Sequence, residues 1–229
     1  MTDTRVSQIS AHVGEEVSLR GWCYNFRSSG KIFFMQFRDG SGRVQIVYSK
    51  ADLTDDQWDA LQSLRLESSV KITGLVKEDS RAPSGFELEG KSVEVVQVAE
   101  EGYPIGKKEH GPDFLLDNRH LWLRSEKQWA VQRVRDTIIR ATYDYFHDNG
   151  YIKFDTPILT PTSCEGTTEL FEMDYFGGEE DTDASKAYLA QSGQLYLEAG
   201  IMSFGRAFDF GPVFRAEKSK TRRHLTEFW

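Results

Sequence analysis

The run Val44-Gln45-Ile46-Val47-Tyr48, followed by Thr54-Asp55-Asp56-Gln57, is where the spacing of apolar residues changes period. The first part reads as a β-strand, rich in β-branched and aromatic residues. In the second, Thr54 can cap a helix and Gln57 can reach back to it, a capping box. A short helix then carries Trp58, Leu61 and Leu64 on one face. Working outward, Val17 to Trp22 and Phe33 to Phe37 give two earlier strands. Asp39-Gly40-Ser41-Gly42 is the turn before the third. Val70 to Val76 and Glu87 to Val98 give two later strands, split by a polar loop around Pro83 and Gly85.

Three strands, a helix and two more strands is the order of an OB-fold barrel, predicted here for residues 1–98. Residues 99–124 hold Pro104, Gly106, Gly111 and Pro112 among mixed charges and read as a linker. Ser125 to Gln128 is a second capping box. It opens a long helix with Val131, Val134, Ile138, Ala141 and Tyr145 spaced by three and four. Asn149-Gly150 ends it with a left-handed position. Tyr151 to Phe154 and Tyr188 to Gln191 read as strands, and a helix runs from there to about Phe204. Phe208 to Phe214 and Arg223 to Trp229 read as the arms of a hairpin. The sequence stops inside an apolar strand candidate, which predicts that the domain at 125–229 is incomplete. The fold class expected is α+β.

Of the 229 residues, 39% are hydrophobic and 28% charged, enough for packed cores and too polar for a membrane-embedded chain. No apolar run approaches the ~20 residues that cross a bilayer. Met1 to Glu16 lacks a basic segment followed by an apolar one, which predicts no signal peptide. Cys23 and Cys164, far apart, give neither a disulfide framework nor zinc-ligand spacing and predict a reducing, cytoplasmic compartment. The formal net charge of −8 makes nucleic acid a poor partner for the molecule as a whole. Any RNA binding must come from a local basic face, with Arg20, Arg27, Lys31, Arg38 and Arg43 as candidates. Gly178-Glu179-Glu180-Asp181 and Asp183 read as a solvated acidic loop.

The densest chemical signal is Phe214-Arg215-Ala216-Glu217-Lys218-Ser219-Lys220-Thr221-Arg222-Arg223-His224-Leu225-Thr226-Glu227-Phe228-Trp229. Read by itself it is a basic surface hairpin. It resembles motif 2 of the class II aminoacyl-tRNA synthetases, in the subgroup for aspartate, asparagine and lysine. Gly150 to Pro157 resembles motif 1 of that family, which forms a dimer interface around its proline, here Pro157. The resemblance covers about residues 15–229. It implies the first part of an antiparallel-sheet catalytic domain behind the barrel. Motif 3 and the acidic Mg2+ ligands of the family lie further along than this sequence runs. The expectation is therefore no metal site here and no charging of tRNA by the 229 residues as they stand.

For the activation step the resemblance implies ATP. A carboxylate attacks the α-phosphate while negative charge builds on phosphorus, so positioning and fixed positive charge do most of the work. Arg215 would hold the α-phosphate bidentately and is the catalytic candidate. Phe228 would stack on adenine, Glu217 and Glu227 would accept hydrogen bonds, and Arg223 and His224 would lie near the phosphates. His224 reads equally well as a histidine that stabilises the hairpin. Ser163-Cys164-Glu165-Gly166 resembles a loop whose carboxylate, Glu165, reads the substrate α-ammonium; by itself Glu165 is plain surface charge. Gln191-Ser192-Gly193-Gln194-Leu195-Tyr196-Leu197 bears on the amino acid. Aspartate-specific relatives carry proline where Gly193 stands and a lysine at Leu197. A lysine would be an unpaired buried charge beside a neutral amide. Leu197 and Gly193 therefore favour asparagine over aspartate, with Gln191, Gln194 and Leu197 as the amino-acid-binding candidates, although Leu197 also suits a helix core.

In the barrel, Gly21-Trp22, Phe33-Phe34, Arg38-Asp39-Gly40 and Val44-Gln45 resemble the anticodon-binding domain of the same subgroup. Phe34 would stack on the central anticodon base and Gln45 would bond its edge, with Arg27 as a base or phosphate contact. Alternation sends Phe33 and Phe37 to the opposite face, the core. The function implied is ATP-dependent joining of asparagine to tRNA(Asn) through asparaginyl-adenylate, by a homodimer. Three readings remain beside it: an aspartate-specific enzyme accepting one or two tRNAs, a relative that amidates aspartate, and a non-catalytic RNA-binding barrel.

Overall fold

A computed structural model describes residues 2–82, 84–106, 108–164, 166, 169–175, 186–218, 221 and 223–229. The chain divides into two compact units, Met1–Asn118 and Arg119–Trp229.

The first unit is built on five strands: Glu16–Ser29 (β1), Ile32–Arg38 (β2), Arg43–Ser49 (β3), Ser68–Glu78 (β4) and Phe86–Gln97 (β5). The helix Asp55–Gln62 (α1) follows β3, and both halves of the Thr54/Gln57 capping box are formed. Strand β1 pairs antiparallel with β2, and β2 with β3. β3 pairs parallel with β5, β5 antiparallel with β4, and β4 antiparallel with β1. The circuit closes, so each of these strands has two neighbours and none presents a bare edge. This is the OB-fold barrel expected.

Period-two alternation fills it. Phe33, Met35 and Phe37 of β2 point in with Val44, Ile46 and Tyr48 of β3, none of them above 4% exposed. Trp58 and Leu61 of α1 close part of the same core. The turn Asp39–Gly42 is organised by the Asp39 carboxylate, whose Oδ1 accepts from Ser41 N at 2.9 Å and Gly42 N at 3.1 Å. A 3-10 helix, Val6–His12, had no counterpart in the sequence reading; it buries Val6 and Ile9 against the barrel. Asp39 Oδ2 accepts from Val6 N at 2.8 Å and so ties that helix to the turn.

Within the stretch read as a linker, Pro112–Asp117 (α2) and Arg119–Trp122 (α3) are short helices. In the second unit the long helix is Glu126–Asp148 (α4), capped by Ser125 Oγ, which accepts from Gln128 N at 3.5 Å. Gly150 takes the left-handed position that stops it, with φ +78°. Its apolar row is exposed: Val131, Val134, Ile138 and Tyr145 are 48%, 58%, 58% and 63% exposed.

The strands of this unit are short. Ile152–Lys153 (β6), Leu159–Thr160 (β7), Glu172–Asp174 (β8) and Lys186–Leu189 (β9) precede the helix Gln194–Phe204 (α5). Ala207–Phe208 (β10), Val213–Phe214 (β11) and Glu227–Phe228 (β12) follow it. β9 lies between β7 and β8, antiparallel to both. The hairpin departs from the arms read in the sequence. Phe208 belongs to a separate parallel pair, β10 with β6, and the arms meet only as β11 with β12. The reason is aromatic packing: Phe208 is 4% exposed and stacks on Phe146 of α4 at 4.6 Å, which draws it away from the hairpin. The acidic stretch 178–183 lies outside the described residues.

Candidate functional site

Strand register builds the first site. Val213 is the Cα partner of Phe228, and Phe214 of Glu227. Arg215 N donates to Thr226 O at 2.8 Å, extending the ladder by one bond. Residues two apart share a face of a strand, so Val213, Arg215, Thr226 and Phe228 fall on one side. The Arg215 guanidinium carbon accordingly lies 6.0 Å from the centroid of the Phe228 ring. The two side chains line one cavity of about 630 Å³, together with Glu217, Arg223, His224, Leu225 and Thr226.

Five sequence-predicted residues therefore converge there: Arg215, Glu217, Arg223, His224 and Phe228. Leu225 and Thr226 are additions. Thr226 could have been found from the register, because it sits directly across from Arg215. His224 Nδ1 is paired with the Thr221 hydroxyl, and Arg223 N donates to Thr221 Oγ1 at 3.4 Å. Those bonds suit the hairpin-stabilising role weighed for His224, while its ring still faces the cavity.

The root of the hairpin is fixed from behind. Phe214 N donates to Ala190 O at 2.9 Å, which brings the end of β9 against β11. Gln191 follows at once and is 3% exposed. Gln194, by contrast, is exposed on the first turn of α5 and donates from Nε2 to Glu198 Oε1 at 2.9 Å. Leu197 is partly buried on the same helix, and Pro157 is exposed. None of Gln191, Gln194 and Leu197 lines the hairpin cavity. Glu165 lies outside the described residues.

Gly193 has a stricter reason for being glycine than the sequence suggested. A Cβ there would stand 2.3 Å from Asp209 Oδ2 and 2.4 Å from Thr156 Oγ1. Those two atoms are themselves joined, Thr156 Oγ1 donating to Asp209 Oδ2 at 2.6 Å. Lys153 Nζ completes the group, at 2.6 Å from Asp155 Oδ1 and 3.3 Å from Asp209 Oδ1. Burial works to lower the Lys153 pKa, but the hydrogen bonds to Asp155 and Asp209 outweigh it and the net direction is up. Lys153 thus stays charged and pins the Asp209 carboxylate against the Gly193 backbone.

The second site is the outer face of the barrel. Arg27 and Phe34 are Cα partners across β1 and β2, and the guanidinium carbon sits 4.0 Å above the Phe34 ring. Phe34 is partly exposed where Phe33 is 1% exposed, as alternation requires. Gln45, on the same face, donates from Nε2 to Glu87 Oε2 at 3.3 Å. Arg38 departs from the basic face expected. It makes a two-pronged ion pair with Glu67, at 2.8 and 2.6 Å. Their side chains are only 11% and 7% exposed, so this charge serves the barrel rather than a ligand.

Among the described residues, no three His, Cys, Asp or Glu side chains gather into a metal-sized cluster. No helix among them is long and apolar enough to cross a membrane.

A closed OB-fold barrel followed by this strand, helix and hairpin arrangement defines a class of protein. The model of the class II tRNA synthetases (D, K and N) matches residues 111–229, and that of the OB-fold nucleic acid binding domain matches 17–96. The chain belongs to the class II tRNA synthetases of the D, K and N group. Within that group it is similar to asparagine–tRNA ligase of Streptococcus thermophilus, 52% identical over 98% of this chain and 50% of that protein. Asparagine–tRNA ligase of Roseiflexus sp. is 53% identical over 98% of this chain and 49% of that one. The crystal structure of asparaginyl-tRNA synthetase from Pyrococcus horikoshii complexed with asparaginyl-adenylate matches with TM-score 0.89 at 38% identity. That match covers 99% of this chain and 51% of the other. The chain spans about half the length of the curated relatives it matches.

Proposed function

We propose that this chain supplies the anticodon-reading and adenylate-forming parts of an enzyme that joins asparagine to tRNA(Asn) with ATP. The observation that carries this reading is the shared cavity of Arg215 and Phe228. A guanidinium and an aromatic ring held on one face of a hairpin suit the two ends of a nucleotide, phosphate and purine. The donor set fits ATP: Arg215 and Arg223 for phosphate oxygens, Phe228 for the base, Glu217 to accept from an amino group.

In the step proposed, an oxygen of the asparagine carboxylate bonds to the α-phosphorus and pyrophosphate leaves. Arg215 steadies the charge that grows on the phosphoryl oxygens, and no protein nucleophile is needed. The described residues do not make a Mg2+ site, so no part of this step is assigned to a metal. Asparagine rather than aspartate is favoured by the names of the relatives above, and by Leu197 and Gly193 standing where the resemblance gives aspartate-specific relatives a lysine and a proline. The barrel face of Arg27, Phe34 and Gln45 would hold the anticodon. The bare apolar row on α4, with exposed Pro157, supports a homodimer, and two free cysteines, one of them buried, support a cytoplasmic setting.

The test is pyrophosphate exchange by the protein that carries this chain. Exchange with asparagine and not with aspartate is expected. Arg215→Lys, which keeps the charge and loses the fork, should lower it by about 100-fold or more. Equal exchange with both amino acids would remove the substrate assignment. Full exchange by Arg215→Lys would remove the site.

A further inference from the structure

We propose that Asp209, held by Lys153 and Thr156, is a positioning residue for the amino-acid substrate: it sets how far the turn at 191–194 stands from the hairpin of Arg215. The inference rests on the reading of Gln191 and Gln194 as amino-acid-binding residues and of the hairpin as the ATP site.

The turn joins β9 to α5, and both of its ends are tied. At the first, Ala190 N donates to Ile158 O at 2.8 Å and Ala190 O accepts from Phe214 N at 2.9 Å. At the second stands Gly193, with φ −81° and ψ 0°. Any residue adopts those angles, and the φ is close to the one a proline ring imposes. The backbone therefore does not call for glycine. Space does: besides the two oxygens of Asp209 and Thr156, a Cβ would meet Thr156 Cγ2 at 2.8 Å. Asp209 and Thr156 are what bars a side chain at 193, including the proline that the resemblance gives aspartate-specific relatives.

These two residues leave the same end of one strand pair. β6 and β10 run parallel, with Lys153 and Phe208 as Cα partners, and Phe154 N donates to Phe208 O at 2.9 Å. Both oxygens of the Asp209 carboxylate are engaged there, Oδ2 by Thr156 Oγ1 and Oδ1 by Lys153 Nζ. Two turns further along α5, Gly200 comes against the Phe154 ring, where a Cβ would stand 3.2 Å away. Apolar side chains of similar volume would hold these segments together at least as firmly; what a charged and hydroxylated trio adds is a fixed direction and distance. Five residues beyond Asp209 lies Phe214. The amino-acid turn and the strand of Arg215 are thus joined twice, by Ala190 with Phe214 and by Gly193 with Asp209. A displacement of about 1 Å between two reacting groups can cost about 100-fold in rate, so the spacing of these two segments governs the reaction without either tie touching a substrate.

The test is pyrophosphate exchange by the protein that carries this chain, with KM for asparagine and for ATP measured separately. Thr156→Val, which keeps the shape and loses the hydroxyl, and Asp209→Ala should each raise the asparagine KM by about fivefold or more, roughly the effect of one lost hydrogen bond. Asparagine kcat/KM should fall by about 10- to 100-fold. The ATP KM should stay within about twofold. Thr156→Ser, which keeps the hydroxyl, should restore the behaviour of the unsubstituted protein. Asp209→Asn keeps the volume and weakens the tie to Lys153; it should show the same split and carries the test should Asp209→Ala fail to fold. Loss of folded protein lowers kcat and leaves both KM values alone, so the split separates positioning from scaffolding. Asparagine and ATP KM values that rise together, or an asparagine KM unmoved in both Thr156→Val and Asp209→Asn, overturn the role of Asp209 and leave asparagine activation standing. No asparagine-dependent exchange by the unsubstituted protein overturns both.

Discussion

Replacing Phe33 by alanine and, separately, Phe34 by alanine should damage the barrel in two different ways, although the residues are chain neighbours. Phe33 points inward, is 1% exposed, and stacks on Phe26 with ring centroids 5.4 Å apart. Truncating a buried phenylalanine costs about 3–5 kcal/mol, since transfer and cavity terms add. Phe34 points outward and is partly exposed; what it loses within the protein is mainly the Arg27 guanidinium 4.0 Å above its ring. Such an exposed cation–π contact contributes about 0.5–1 kcal/mol. Toward RNA the order reverses. A stacked base is stabilised by about 1–3 kcal/mol, so Phe34→Ala should weaken an anticodon hairpin by about 5- to 150-fold. Phe33→Ala should leave the affinity of its folded fraction near that of the unsubstituted chain. Urea titration followed by anisotropy, at a urea concentration where both variants are folded, reads both quantities. If Phe34→Ala lost 3 kcal/mol of stability, or bound RNA as before, the assignment of faces would be wrong.

Gly193→Ala would place a methyl 2.3 Å from Asp209 Oδ2 and should cost about 1–3 kcal/mol in thermal unfolding. Gly211→Ala, whose nearest neighbour would be Asp209 Oδ1 at 3.5 Å, is the tolerated control. Glu67→Gln leaves the Arg38 guanidinium without its counter-charge at a site 11% exposed, and a loss of about 3–5 kcal/mol is expected in urea. Burial, helped by the Glu67 carboxylate, pushes the Cys23 thiol from 9.0 up to about 12, and burial raises the Tyr48 phenol as well. Both groups are held neutral in the folded state. Their contribution is whole below pH 9 and is lost as the unfolded chain ionises above it, so denaturation midpoints should fall between pH 9 and 12. A midpoint that rose over that range would contradict the burial. At pH 8 a thiol reagent should label Cys164 and leave Cys23 until the barrel unfolds.

The barrel was legible because a closed sheet buries one face only. Val44, Ile46 and Tyr48 had to go in together, which sends Gln45 and Val47 out, and the structure follows that rule along β2 and β3. What stayed hidden depends on contacts distant in sequence. The Val6–His12 helix has no period to betray it, and its anchors, Asp39 and Ser41, lie 33 and 34 residues away from their partners Val6 and Ser7. Arg38 read as a free cation because its partner, Glu67, is 29 residues distant. Phe208 read as a hairpin residue because nothing local reveals that Phe146 claims its ring. The hairpin cavity was legible for the opposite reason: Arg215 and Phe228 are placed by a turn and a register, both local. The neighbourhood of Gln191 and Gly193 is not local. It needs β6, α5 and the segment before β11 at once, and Asp209 was invisible as a constraint on Gly193.

The two sites use the same pair of groups at different offsets, and the offset decides what each can do. In the barrel Arg27 and Phe34 are direct Cα partners, so the guanidinium lies on the ring at 4.0 Å. A base that comes to stack must displace it or lie on the other face. The contact at stake, about 0.5–1 kcal/mol, is smaller than the ~1–3 kcal/mol of stacking, so the base wins. Displaced, Arg27 is a flexible cation beside a nucleotide and is free to meet its phosphate. In the hairpin Arg215 and Phe228 are diagonal, two residues out of register, and 6.0 Å apart. There the guanidinium need not move for a ligand to enter. Ring and fork can hold different ends of one molecule, and the rigidity of the hairpin fixes the distance between them. The first arrangement suits a ligand that is bound and released along a strand. The second suits one that must be held still while a bond forms at phosphorus.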